Sequence, residues 1–80
     1  MEALLTYILE NIINKPEELS ITREEDDEVI RLNISANTDD YAQIIGKKGS
    51  TIKALTDIMR LYNTKKEPSS QKKIFINVNS

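Results

Sequence analysis

Residues 44–55 read Ile44-Ile45-Gly46-Lys47-Lys48-Gly49-Ser50-Thr51-Ile52-Lys53-Ala54-Leu55 and hold the only two glycines of an 80-residue chain. Just upstream, Tyr41, Ala42, Ile44 and Ile45 are the apolar residues of a short helix that Gly46 stops. Downstream, Ile52, Leu55, Met59 and Tyr62 fall at helical spacing, widened by Ala54, Ile58 and Leu61, so a second helix is expected over 50–64. Between them the corner Gly46-Lys47-Lys48-Gly49 has three physical properties. Gly46 is expected in the left-handed conformation that closes the first helix. Gly49 removes a side chain where a passing backbone would come close. The first N–H groups of the second helix are expected unpaired and outward, at the dipole end that favours an anion. Lys47 and Lys48 add two mobile charges beside that spot, which suits a chain of phosphates. By itself a G-x-x-G is short, and a capped turn with solvated lysines has the same pattern. It is not a P-loop: position 41 is Tyr where the upstream Gly belongs, and no Ser or Thr follows Lys47.

Outward from the corner, Asn37 or Thr38 is placed to cap the first helix, with Asp39 and Asp40 at the favourable end of its dipole. Before them the period changes to two. Leu19 and Ile21 alternate with Ser20 and Thr22, and Ile30, Leu32 and Ile34 with Arg31, Asn33 and Ser35, which predicts two strands apolar on one face. Glu24-Glu25-Asp26-Asp27-Glu28 between them suits a solvated hairpin turn. This acidic run lacks the glycine and alternation of a calcium loop, and reads as a solvated turn whose charge would repel a polyanion from that end of the domain. At the N-terminus, Leu4, Leu5, Ile8, Leu9, Ile12 and Ile13 form a helical stripe that Pro16 ends at Lys15. On the far side, residues 65–70 carry the loop signals Pro68, Ser69 and Ser70, and Ile74, Ile76 and Val78 alternate with Phe75 and Asn77 in a third strand over 73–79.

The order αββααβ predicts an α+β fold. A hairpin joins the first two strands, and a right-handed crossover lays the last one parallel to the strand at 29–35, which becomes the centre of a mixed three-stranded sheet. Leu19, Ile21, Ile30, Leu32, Ile34, Ile74, Ile76 and Val78 face inward, covered by three helices packed on one face.

Composition narrows the function. The chain has no Cys and no His, so thiol nucleophiles, thiolate metal sites and the commonest general base are excluded. No cofactor, metal or catalytic residue is expected, and the chain is not read as an enzyme. Residues 1–40 carry three basic and eleven acidic side chains, whereas residues 41–80 carry eight basic and two acidic ones. The net charge of −2 therefore conceals a basic half. Apolar runs stop at triplets such as Ala3-Leu4-Leu5, and the N-terminus lacks a positive region, so no membrane association or signal peptide is expected and the cytoplasm is the default location.

The segment Ile44–Leu55 resembles the I-G-x-x-G segment of the KH domain, whose loop clamps the backbone of about four nucleotides. The αββααβ order matches the type II arrangement of that fold, and Tyr7–Glu10 through Pro16–Leu19 is similar to the small bacterial single-KH proteins, the KhpA-like family. The resemblance spans nearly all of residues 1–80, which are expected to form a single KH domain. It implies a non-enzymatic protein that binds single-stranded RNA, as a post-transcriptional regulator or RNA chaperone. It also implies a homodimer, or a heterodimer with a larger KH-containing protein. Carried over by position, Gly46, Lys47, Lys48, Gly49 and Ser50 would contact the sugar–phosphate backbone, Ile45 and Ile52 would lie beneath bases, and Lys53 would reach a phosphate. Lys72 and Lys73, entering the third strand, would form a secondary groove wall. Where the family often has a basic residue, after the second glycine and six positions later, this chain has Ser50 and Thr56. Weak binding is therefore expected, with a log–log salt slope near about −2 if roughly three phosphates are neutralised.

Other readings fit less well. A sheet-face reader of the RRM type needs several outward aromatics, and Phe75 alone qualifies; Tyr41 and Tyr62 are expected half-buried with wet hydroxyls. A helix-turn-helix DNA binder using the helix after Gly49 lacks polar base-reading residues near its start and carries Asp57. The remaining alternative is a protein-interaction subunit that dimerises and whose RNA groove has decayed.

Overall fold

The computed structural model describes residues 1–79. Its elements are α1 (Glu2–Glu10), β1 (Ser20–Glu25), β2 (Val29–Ser35), α2 (Tyr41–Ile45), α3 (Ser50–Lys66) and β3 (Lys73–Asn79), with single 3₁₀ turns at Pro16–Glu18, Thr38–Asp40 and Lys47–Gly49. The sheet has the order β1-β2-β3, with β1 antiparallel and β3 parallel to the central strand. This is the expected mixed sheet with three helices on one face. The register sets Ile21 beside Ile34, Ile30 beside Ile74 and Leu32 beside Ile76, so inward residues form continuous rows across the strands. Ile30, Leu32, Ile34 and Ile74 are fully covered, and Leu19, Ile21, Ile76 and Val78 are partly buried against the same core. Leu5, Leu9 and Ile13 from the N-terminal segment, Ile44 from α2, and Leu55 and Met59 from α3 complete it.

Three boundaries differ from the sequence expectation. Helix α1 stops at Glu10, with the amides of Ile12 and Ile13 still bonded to the Leu9 carbonyl. The chain leaves the helix early because the N–H groups of Asn14 and Lys15 donate to the two carboxylate oxygens of Asp40, each at 3.0 Å. Asp40 is therefore fully buried and tethers the exit of α1 to the entrance of α2, beyond the dipole role expected for it. The cap is Asn37, whose side chain accepts the Asp39 amide. Helix α3 runs two residues past Thr64, to Lys66.

The third difference lies in the acidic run, which is not a uniform turn. Strand β1 continues through Glu25, and each acid from 24 to 26 has its own partner. Glu24 accepts from Asn33 on the open face of the sheet. Glu25 pairs with Arg23 and Lys72. Asp26 accepts the amides of Glu28 and Val29, both at 2.8 Å, and thereby closes the turn. On α3 the widened stripe is not core: Ala54, Ile58 and Leu61 are exposed, Leu61 to 69%. The Tyr41 hydroxyl accepts an N–H from Ala36 at 3.4 Å rather than facing only solvent.

Candidate nucleic-acid interface

The corner between α2 and α3 is built by three departures from ordinary backbone within four residues. The Gly46 amide closes α2 on the Ala42 carbonyl at 2.8 Å, and the residue then turns to φ 78°, ψ 172°. This is a positive φ, as expected, but with extended ψ rather than the left-handed helical value. Lys48 (φ 55°, ψ 29°) and Gly49 (φ 76°, ψ 15°) carry the left-handed turn instead. Lys48 is the only non-glycine residue with positive φ among those described.

The two glycines serve different ends. A Cβ on Gly46 would overlap the Thr51 side chain and lie 2.7 Å from the Thr51 amide nitrogen, so the corner packs directly on the first turn of α3. A Cβ on Gly49 would meet nothing closer than Ile52 Cγ2 at 3.8 Å, so that position is open and its requirement is conformational. The 3₁₀ turn also uses one of the donors expected to be free, that of Ser50, together with that of Gly49. Gly49 N–H donates to the Gly46 carbonyl at 3.2 Å, and Ser50 N–H to that of Lys47. No side chain caps the N-terminus of α3.

Lys47, Lys48, Ser50 and Lys53 are exposed around this corner, and Gly46, Gly49 and Ile52 are partly so. Ile45 shows 40% of its surface. Among the described residues none of these three lysines forms an ion pair; the pairs are made by Lys15, Arg23, Arg60, Lys72 and the N-terminal amine. The cations at the corner therefore keep their charge available to an anion.

Lys72 and Lys73 lie elsewhere. They line a cleft with Arg60, Asn63 and Thr64, between the second half of α3 and the start of β3. Gly49 and Arg60 are separated by three turns of α3, about 16 Å of helical rise. The corner residues are thus brought together, and the β3 lysines stand apart from them at the other end of the helix. Arg60, which pattern reading did not single out, lines this cleft and pairs only loosely with Asp57 at 3.6 Å. Its position one turn past Thr56 on an exposed face was the available signal.

Comparison with known proteins identifies the family. The sequence profile of the KhpA/KhpB KH domain matches residues 2–74. The chain belongs to the KhpA/KhpB KH-domain family. It is similar to the RNA-binding protein KhpA of Bacillus subtilis, 34% identical over 69% of this chain and 68% of the relative. It is also similar to the RNA-binding protein KhpA of Chlamydia pneumoniae, at 36% identity over 74% and 76% of the two chains. The KhpA of Listeria monocytogenes is 30% identical over 84% and 88%. No solved structure matches the chain. In this chain Gly46–Gly49 joins α2 to α3, and β3 lies at an edge of the sheet. Among the described residues no helix is long and apolar enough to cross a membrane, and no cluster of acidic side chains is arranged to hold a metal ion.

Proposed function

We propose that residues 1–80 act as a single KH domain binding single-stranded RNA, without catalysis, as a cytoplasmic post-transcriptional regulator or RNA chaperone. The observation that carries this reading is the corner itself. Two exposed lysines, without an ion pair among the described residues, lie within a positive-φ turn whose second glycine faces open space. In this reading Gly46, Lys47, Lys48, Gly49 and Ser50 follow the sugar–phosphate backbone. Ile45 and Ile52 supply aliphatic surface under the bases, Lys53 reaches a further phosphate, and the start of β3 with Lys73 forms the opposite wall. The RNA-binding names of its relatives support the same assignment.

Replacing Lys47 and Lys48 together by Asp tests it. Losing two phosphate contacts on a single strand lowers affinity by at least about 25-fold at 0.1 M salt. The readout is fluorescence anisotropy of a labelled single-stranded RNA, with circular dichroism and oligomeric state unchanged. If the double variant binds RNA as the parent does, the loop is not the site.

A second feature favours an accompanying role in self-association. Leu61 and Tyr7 are each 69% exposed. Leu4, Ile58, Leu61 and Tyr62 line an apolar groove between α1 and α3, edged by Lys65 and Lys66. Lys66 Nζ stands 5.7 Å from the centroid of the Tyr62 ring. Such a stripe on a domain this small is suited to cover by a second KH domain, in a homodimer or in a heterodimer with a larger KH-containing protein.

A further inference from the structure

We propose that Glu25 withholds Lys72 from RNA, so that the entry to β3 offers the bound strand one cation fewer than its sequence counts. This rests on the RNA-binding reading above. The Glu25 carboxylate has both oxygens engaged: Oε2 accepts from Lys72 Nζ, and Oε1 accepts from Arg23 Nε and Nη2. Arg23 Nη1 in turn donates to Glu2 Oε1 at 3.4 Å. These four side chains sum to zero charge.

They are held more firmly than ordinary surface pairs. The side chains of Arg23, Glu25 and Lys72 expose 28, 32 and 26% of their surface. The Arg23 guanidinium meets Glu25 through two nitrogens on one oxygen, and this holds the other oxygen in place for Lys72. Arg23 and Glu25 share the inward face of β1 with Ile21, and Lys72 lies on the side that Ile74 faces, so the bridge closes the end of the core beyond Ile30.

A phosphate taking Lys72 would have to approach this carboxylate. The cleft it would enter, which Lys73 also lines, carries Asp27 and Glu28 of the hairpin turn, whose like charge opposes it. Lys73 differs in its side chain, which is exposed and forms no ion pair among the described residues, while its backbone N–H donates to the Glu28 carbonyl at 3.0 Å. Of the two adjacent lysines, Lys73 serves RNA and Lys72 serves the fold.

The test is anisotropy of a fluorescein-labelled decauridylate, titrated between 0.05 and 0.4 M (~) KCl with folding checked by circular dichroism. Glu25→Gln releases Lys72, so the log–log salt slope steepens by about 0.7 and affinity rises about fivefold at 0.1 M salt. Lys72→Gln leaves the parent's affinity unchanged, Lys73→Gln lowers it, and Glu25→Gln with Lys72→Gln cancels the gain. Glu24→Gln changes net charge equally on the other face of the sheet and yields no gain. The inference is overturned if Lys72→Gln weakens binding as much as Lys73→Gln, a comparison that stands even if Glu25→Gln fails to fold. It is overturned equally if a folded Glu25→Gln binds as the parent does, or if Glu24→Gln matches its gain. If the parent binds no RNA, or if Lys47→Asp with Lys48→Asp leaves binding intact, the underlying RNA-loop reading falls and takes this inference with it.

Discussion

The two glycines of the corner make a paired prediction about stability. At Gly46 an alanine must hold φ 78°, ψ 172°, a region essentially reserved for glycine, at a cost on the order of 1–3 kcal/mol. Its Cβ would also sit 2.7 Å from the Thr51 amide nitrogen. The Thr51 side chain can rotate away, but the amide belongs to the first turn of α3 and moves only with it, adding roughly 1–3 kcal/mol of overpacking. At Gly49 the alanine faces open space and bears only the left-handed penalty, on the order of 1–2 kcal/mol. For a domain this size each kcal/mol lowers Tm by about 4–8 °C. Taking the middle of each range, about 4 against about 1.5 kcal/mol, Gly46→Ala melts about 10–20 °C below Gly49→Ala, and urea denaturation followed by far-UV circular dichroism ranks them the same way. Equal destabilisation, or the reverse order, would refute the assignment of packing to Gly46 and of conformation alone to Gly49. Gly49→Ala stays folded and can be carried into RNA titrations.

Three further outcomes follow from the same coordinates. Asp40→Ala strands the amides of Asn14 and Lys15 and costs about 2–4 kcal/mol in urea denaturation, and Asp40→Asn, keeping one acceptor, falls between it and the parent. Acid sensitivity has a defined sign. Lys72 and Arg23 hold the Glu25 carboxyl below its ordinary 4.5, the amides of Glu28 and Val29 hold Asp26 below its ordinary 3.8, and the backbone N–H of Glu2, with Arg23, lowers Glu2. Folded values below unfolded ones give stability that is complete above the ordinary value and lost as pH falls through the folded one. The melting temperature is therefore level near neutrality and drops as pH falls below 4.5, the ordinary value for Glu25; Asp26→Asn reduces that drop. Finally, Leu61→Glu converts an assembled form to monomer in light scattering while circular dichroism is unchanged; an unaltered mass would remove α3 as the contact.

The architecture was legible because the strands are short, one-faced and cleanly alternating. Val29–Ser35 and Lys73–Asn79 stand where the alternation placed them, and their parallel pairing follows from a two-helix crossover. The corner was legible for a related reason: two glycines in an otherwise glycine-free chain mark a single backbone requirement. What escaped was long-range. Nothing near Asp40 signals that its carboxylate will capture amides 25 and 26 residues earlier. Periodicity gave Ile58 and Leu61 to the core because it records spacing and not which side of a helix has a neighbour. The acidic run read as a single turn because Glu25 finds its lysine 47 residues further on.

The pairing of β2 with β3 carries a cost during synthesis. Residues facing each other across these strands, such as Asn33 and Asn77, are separated by 44 positions. At cellular translation rates that gap lasts roughly 2–9 s. For that interval the most apolar strand of the nascent chain has one margin bare, so conditions that slow elongation through the intervening helices lengthen its exposure to sticking to other chains.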